Sequence, residues 1–173
     1  MSNTPHPTDA VAEREHLWSL IKGIRFAMFT SRHGNGHLHG RPMTTQNRSI
    51  GEDASLWFFM PAHSEPAADL VAEPQVHVGY ADPGADRYVS VSGTAAVIDD
   101  DAMKQQLWSP MAAAWFPEGV DSPDLALVQV KISHASYWDV QDSKLVQVVK
   151  MAKAAITGHP PTDMGAHGEV RLR

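Results

Sequence analysis

Leu38-His39-Gly40-Arg41-Pro42-Met43-Thr44-Thr45 and, shortly after it, Leu56-Trp57-Phe58-Phe59 both read as strands, and the first carries a proline where a central strand should not. Proline removes a ladder donor and is confined to strand edges, starts and bulges. The strand therefore opens near residue 42, with an arginine beside the opening. Unpaired backbone next to a planar cation can cradle a flat ring that bears a phosphate. Taken alone, the same triplet also fits an edge strand with a surface arginine.

Outward from this stretch the chain is punctuated by turn signals. Upstream, Arg25 to Ser31 reads as a strand and Gly34-Asn35-Gly36 as a hairpin turn leading into Leu38 to Gln46. Asp9 can cap a helix from about Ala10 to Lys22, with Val11, Leu17, Trp18 and Ile21 on its apolar side. Downstream, Ser55 to Met60 is a strand whose aromatics mark a buried sheet, and Ser64 caps a short helix from Glu65 to Ala72. Val76 to Tyr80 and Arg87 to Ile98 are further strands, the second alternating apolar with small polar residues. Gly93 within it marks a bulge or a sharp bend. Asp99 to Trp108 and Pro110 to Trp115 read as helices, Leu125 to Ile132 and Ala135 to Val140 as the last strands. A final helix runs from a Ser143 cap to about Thr157, closed by Gly158.

This order gives a mainly β chain with flanking helices: a six-stranded antiparallel barrel. Residues 1–9 read as a disordered N-terminal arm, 10–158 as one domain and 159–173 as a flexible tail. The 173 residues, 43% apolar, suffice for one sizeable core. The absence of cysteine excludes disulfides, thiol chemistry and thiolate metal sites. Lys+Arg at 14 against Asp+Glu at 20 disfavours a nucleic-acid surface. No apolar run reaches membrane-spanning length, about 20 residues, and Met1 to Asp9 lacks the apolar region of a signal peptide. The expectation is a cytoplasmic protein with neither nucleic-acid nor membrane partner.

Ten histidines invite a metal reading. His37 and His39 share a strand face and His33 lies across the turn, but no carboxylate stands at a matching offset nearby. Polar hairpin residues explain them better, and no metal is expected. Asp99-Asp100-Asp101 is a helix start. No phosphate loop, nucleophile elbow or zinc-protease motif occurs. Trp115-Phe116-Pro117 and Tyr137-Trp138-Asp139 are aromatic clusters at element ends, where aromatics form either core or stacking walls.

Taken together, the chain resembles the general stress protein branch of the pyridoxamine-phosphate-oxidase-like flavoproteins, the FMN-binding split barrels. The matching pieces run in order from Ile24-Arg25-Phe26-Ala27-Met28 through Gly40-Arg41-Pro42-Met43, Leu56-Trp57-Phe58-Phe59 and Tyr80-Ala81-Asp82-Pro83. They continue with Arg87-Tyr88-Val89-Ser90-Val91-Ser92-Gly93-Thr94-Ala95, Leu107-Trp108, Ala114-Trp115-Phe116-Pro117 and Tyr137-Trp138-Asp139. The resemblance implies a Greek-key split barrel and a homodimer with FMN, or alternatively FAD, at the subunit interface. It places Arg41, Pro42, Met43 and Thr44 along the flavin, with Phe59 and Met60 adding backbone contacts and Ser64 holding the phosphate. The second subunit is implied to add Arg87, Tyr88 and aromatics such as Trp115 and Trp138. No catalytic residue is singled out. The function implied is a flavin-dependent oxidoreductase of unknown small-molecule substrate; the alternative is a flavin-binding or buffering stress protein without turnover. Where the branch usually carries a lysine after the helix start, this chain has Ser64-Glu65-Pro66-Ala67. Either Arg41 and backbone donors hold the phosphate, or flavin affinity is reduced.

Overall fold

The computed structural model describes residues 7–140, 144–157 and 165–170. Helix α1 spans Pro7–Ile21. It starts ahead of the Asp9 cap read from the sequence, because proline's fixed φ and missing N–H suit a first helical turn. Leu17, Leu20 and Ile21 are its buried side; Val11 stays exposed. β1 (Ala27–Arg32) and β2 (Leu38–Met43) form a hairpin, with Gly36 at a φ of 86° in the turn. There follow β3 (Ser55–Pro61), α2 (Glu65–Ala72), β4 (Gln75–Asp82), β5 (Arg87–Ile98), α3 (Asp101–Leu107) and α4 (Pro110–Trp115). β6 (Leu125–Asp139), α5 (Lys144–Thr157) and β7 (Ala166–Val170) complete the described chain. Ser64, Asp100 and Ser109 cap α2, α3 and α4 by accepting from the backbone N–H three residues on. The proposed Ser143 cap and Gly158 stop lie outside the described residues.

All strand pairs are antiparallel, in the order β2-β1-β4-β5-β6-β3, with β7 also on β6. β5 runs the length of β6. On the other edge of β6, β3 covers residues 125–131 and β7 covers 135–139, end to end. Two features differ from the sequence reading. The last two strands are one: the register steps from Ser92–His134 to Gly93–Ile132, so Ser133 bulges out and bends β6 without ending it. Gly93 opposite is obligatory, since a Cβ there would lie 2.8 Å from Val130 Cγ1 and nearer still to the Lys131 carbonyl oxygen. The second is β7, five residues that fell within the expected flexible tail. So short a run beside glycines shows no alternation, and only the free edge of distant β6 orders it.

The sheet curls on itself. Phe29 of β1 meets Phe58 of β3 edge-to-face at 5.3 Å, although three strands lie between β1 and β3 in the sheet order. Both rings are fully buried, in one cluster with Leu56, Val78, Val91, Val128 and Val130. The seam is bridged by the segment after β2. Gln46 N–H donates to the Trp57 carbonyl at 2.8 Å, and Trp57 N–H donates to Asn47 Oδ1 at 2.7 Å. The result is a split barrel closed by a few bonds rather than by a ladder. β3 is buried on both faces, not on alternate residues alone: Phe59 points outward and is covered by Leu107, Trp108, Ala112 and Phe116 from the α3–α4 region.

Candidate functional site

β2 pairs only with β1, so its other edge is open and the missing N–H of Pro42 interrupts no central ladder. In front of that edge lies a cavity of about 580 Å³, inside the range of small-molecule sites, roughly 300–1,000 Å³. β2 and its extension contribute Arg41, Pro42, Met43, Thr44 and Gln46. The end of β3 adds Phe59, Met60 and Pro61, and the start of α2 adds Ser64 and Pro66. Phe26, Ala112, Trp115 and Phe116 close the remaining side.

The cavity is polarised. Arg41 reaches toward the hairpin, where its Nη1 donates to the buried Ser31 Oγ at 3.0 Å. A guanidinium has five N–H donors, so this anchor fixes the group while leaving most of its donor capacity for an anion. Phe26, at the opposite end of β1, belongs to the aromatic end with Phe116 and the 63% exposed Trp115. One residue past the Met43–Ala27 pair, on the Phe26 side, the Thr44 carbonyl accepts from Gln46 Nε2 at 3.0 Å. The next residue is pinned from behind, Thr45 Oγ1 sharing a 2.7 Å hydrogen bond with the Tyr80 hydroxyl. Burial pushes the Tyr80 phenol above its ordinary range, so it stays neutral; the Thr45 bond acts in the opposite sense.

The start of α2 offers less to an anion than its position promises. Ser64 Oγ donates to the Pro61 carbonyl at 2.6 Å and accepts from Ala67 N–H at 3.4 Å, and Pro66 brings no N–H. Among the described residues, Arg41 is the only charged side chain in the cavity lining.

Of the residues singled out in the sequence, Arg41, Pro42, Met43, Thr44, Phe59, Met60, Ser64 and Trp115 come together here. Arg87, Tyr88 and Trp138 do not. Arg87 Nε pairs with Asp139 Oδ1 at 3.2 Å. Tyr88 lies opposite Trp138, which stacks on His167 at 4.9 Å, and both Tyr88 and Trp138 are about half exposed. Phe26, Gln46, Pro61, Pro66, Ala112 and Phe116 line the cavity without having been singled out as site residues. Phe26 and Phe116 lay inside quoted blocks. Gln46 and Ala112 gave no signal, because a seam residue and a small helix residue look ordinary in one dimension. Among the described residues no three histidine or carboxylate side chains converge as metal ligands, and no helix is long and apolar enough to cross a membrane.

Residues 12–162 match the family model described as pyridoxamine 5'-phosphate oxidase like. Protein bli-3 of Neurospora crassa is 26% identical over 155 residues, 84% of this chain and 74% of that protein. Among solved structures, a Jannaschia sp. CCS1 protein named for general stress protein 26 is 25% identical, with a TM-score of 0.71 over 95% of this chain and 99% of that one. The general stress FMN/FAD binding protein of Xanthomonas citri is 32% identical, with a TM-score of 0.65 over 77% of this chain and 92% of its own.

Proposed function

The chain belongs to the pyridoxamine 5'-phosphate oxidase-like family, and from that membership we propose that it is a stress-related flavin-binding protein whose cavity takes FMN. The observation that carries this is the polarised cavity along an open strand edge. It joins one anchored cation to an apolar, aromatic-walled slot, which is the donor set that a flat ring with a phosphate tail requires. The Xanthomonas citri relative named as an FMN/FAD binding protein supports it.

In this reading Arg41 holds the phosphate, while the open edge at Pro42, Met43 and Thr44 lies along the ring and its chain. Phe59 and Met60 support it from β3, and Ser64 shapes the phosphate end. Trp115 closes the aromatic end. A bound flavin supplies reversible two-electron redox chemistry. The chain's own part is to bind it, keep water from the apolar face and present the rest of the cavity to a small molecule. Tyr88 and Trp138, large and half exposed away from the cavity, fit a second copy of the chain that adds them and Arg87 to its neighbour's site. Such a homodimer should bury more than about 2,000 Å², and light scattering that finds only monomer at micromolar concentration would remove this part.

Among the described residues the cavity lining holds no carboxylate, imidazole or phenol to move a proton. That favours either hydride exchange at a bound flavin or simple flavin carriage. Titration of the protein with FMN, FAD and riboflavin, followed by fluorescence quenching, tests the binding. Anaerobic bleaching with a nicotinamide donor then separates an oxidoreductase from a carrier. No quenching by any flavin would refute the proposal.

A further inference from the structure

His33, at the end of the β1–β2 hairpin, lies between two carboxylates of α2. Its Nε2 is 2.9 Å from Glu65 Oε1 and its Nδ1 is 2.9 Å from Asp69 Oδ1. His39 of β2 stacks on the same ring at 5.0 Å, with the planes 24° apart. The neighbouring cations are turned elsewhere: Arg32 donates to the Gly36 carbonyl and Arg41 to Ser31 Oγ. Asp69 is almost entirely buried, and its Oδ2 has no partner among the described residues. His33 is therefore the group that compensates its charge.

A neutral imidazole has one N–H and one lone pair. Facing an acceptor oxygen on each side, it satisfies one carboxylate and sets a lone pair against the other. Only the ring with both protons donates to both. We infer that His33 is a positioning residue which, while doubly protonated, donates to both carboxylates, offsets one of their two negative charges beside the cavity and locks α2 to the hairpin that carries Arg41. The inference rests on the flavin reading of the cavity. It makes phosphate binding depend on pH through a group that never touches the ligand. Where the ring is neutral, the uncompensated Glu65 carboxylate, next to Ser64 and Pro66 of the lining, repels the phosphate and one tie between the two walls is lost.

The test is titration with FMN and with riboflavin at about pH 5.5 and pH 8, which spans the range where histidine changes charge. The parent, Glu65→Gln and His33→Gln proteins are compared. At the higher pH Glu65→Gln should bind FMN about three- to ten-fold more tightly than the parent, a coupling at the low end of those between sites. At the lower pH Glu65→Gln should keep that advantage, because the carboxylate's repulsion of the phosphate adds to the ring's attraction whatever the ring's charge. His33→Gln should bind FMN more weakly than the parent at low pH and match it at high pH. Riboflavin should not distinguish the three. The second ionisation of the phosphate, near pH 6, affects all three proteins alike and drops out of the ratios. If His33→Gln fails to fold, NMR of the His33 ring in the parent carries the test: bound FMN should hold the second proton to higher pH than bound riboflavin does, by the reciprocity of coupled sites. A ratio of His33→Gln to parent that stays constant with pH while FMN binds, or a ring whose protonation FMN leaves unchanged, overturns the role of His33 alone. Absence of FMN binding at both pH values overturns it together with the flavin reading.

Discussion

Replacing Arg41 by alanine should separate the phosphate from the rest of the flavin in a single measurement. Its guanidinium is the only charge in the cavity lining among the described residues and is held by a 3.0 Å bond to Ser31 Oγ. A charge-assisted hydrogen bond to a phosphate contributes about 1.5–3 kcal/mol. At about 1.4 kcal/mol per decade, Arg41→Ala should weaken FMN about ten- to a hundred-fold. Riboflavin lacks the phosphate, so its affinity should change much less. The substitution also leaves the buried Ser31 hydroxyl without its donor, a cost of about 1–3 kcal/mol. For a domain of this size that lowers Tm by roughly 2–4 °C per kcal/mol, so both proteins should be titrated well below their transitions. Ser31→Ala is the control: it removes the anchor, keeps the cation and should cost FMN much less than Arg41→Ala does. If folded Arg41→Ala binds FMN as tightly as the parent, the phosphate is anchored elsewhere and the proposed orientation of the flavin is wrong.

Gly93→Ala should destabilise the fold by about 1–3 kcal/mol, because the new methyl meets the Lys131 carbonyl and Val130 at the bulge of β6; an unchanged Tm would refute the close approach. Tyr80→Phe tests a pH dependence. Burial holds the folded phenol above the ordinary value of 10.0, so its contribution is intact below pH 10.0 and lost as pH rises above it. The alkaline fall in Tm should therefore flatten in Tyr80→Phe, at a neutral-pH cost of about 1 kcal/mol for the Thr45 bond; equal alkaline slopes would argue against it. Trp115→Ala should leave Tm nearly unchanged, within about 0.5 kcal/mol, since the side chain is 63% exposed, yet weaken both FMN and riboflavin. Equal affinities would place the ring away from the α4 end.

The barrel was legible wherever a local rule acts. Alternation marked β5 over the whole of Arg87–Ile98, and Ser64 with Pro66 and Pro74 bounded α2 at Glu65–Ala72. Pro42 marked an edge because edge geometry is local chemistry. What was not legible depends on contacts between distant residues. A bulge at Ser133 and a strand break look the same in one dimension, and the strand continues only because β5 pairs along both halves of β6. β7 exists only as a partner of Ala135–Asp139. The outward burial of Phe59 depends on α3 and α4 folding back over it, which no period in β3 encodes.

The site divides along the same line. Seven of the eight expected residues that converge on the cavity do so because β2, the end of β3 and the start of α2 follow one another in the chain and meet at the barrel's seam; the eighth, Trp115, comes from α4. Arg87, Tyr88 and Trp138 do not line it. They sit where β5 pairs with the last residues of β6, and a role for them requires a second chain. Glu65 shows how sequence and structure combine. In the sequence it is a carboxylate where an anion was expected to sit. In the fold it faces His33, thirty-two positions earlier in the chain, at 2.9 Å. The missing lysine therefore need not cost the site its phosphate. In the proposed reading a residue on the neighbouring wall offsets one of the two carboxylate charges there, and the offset is conditional on a proton.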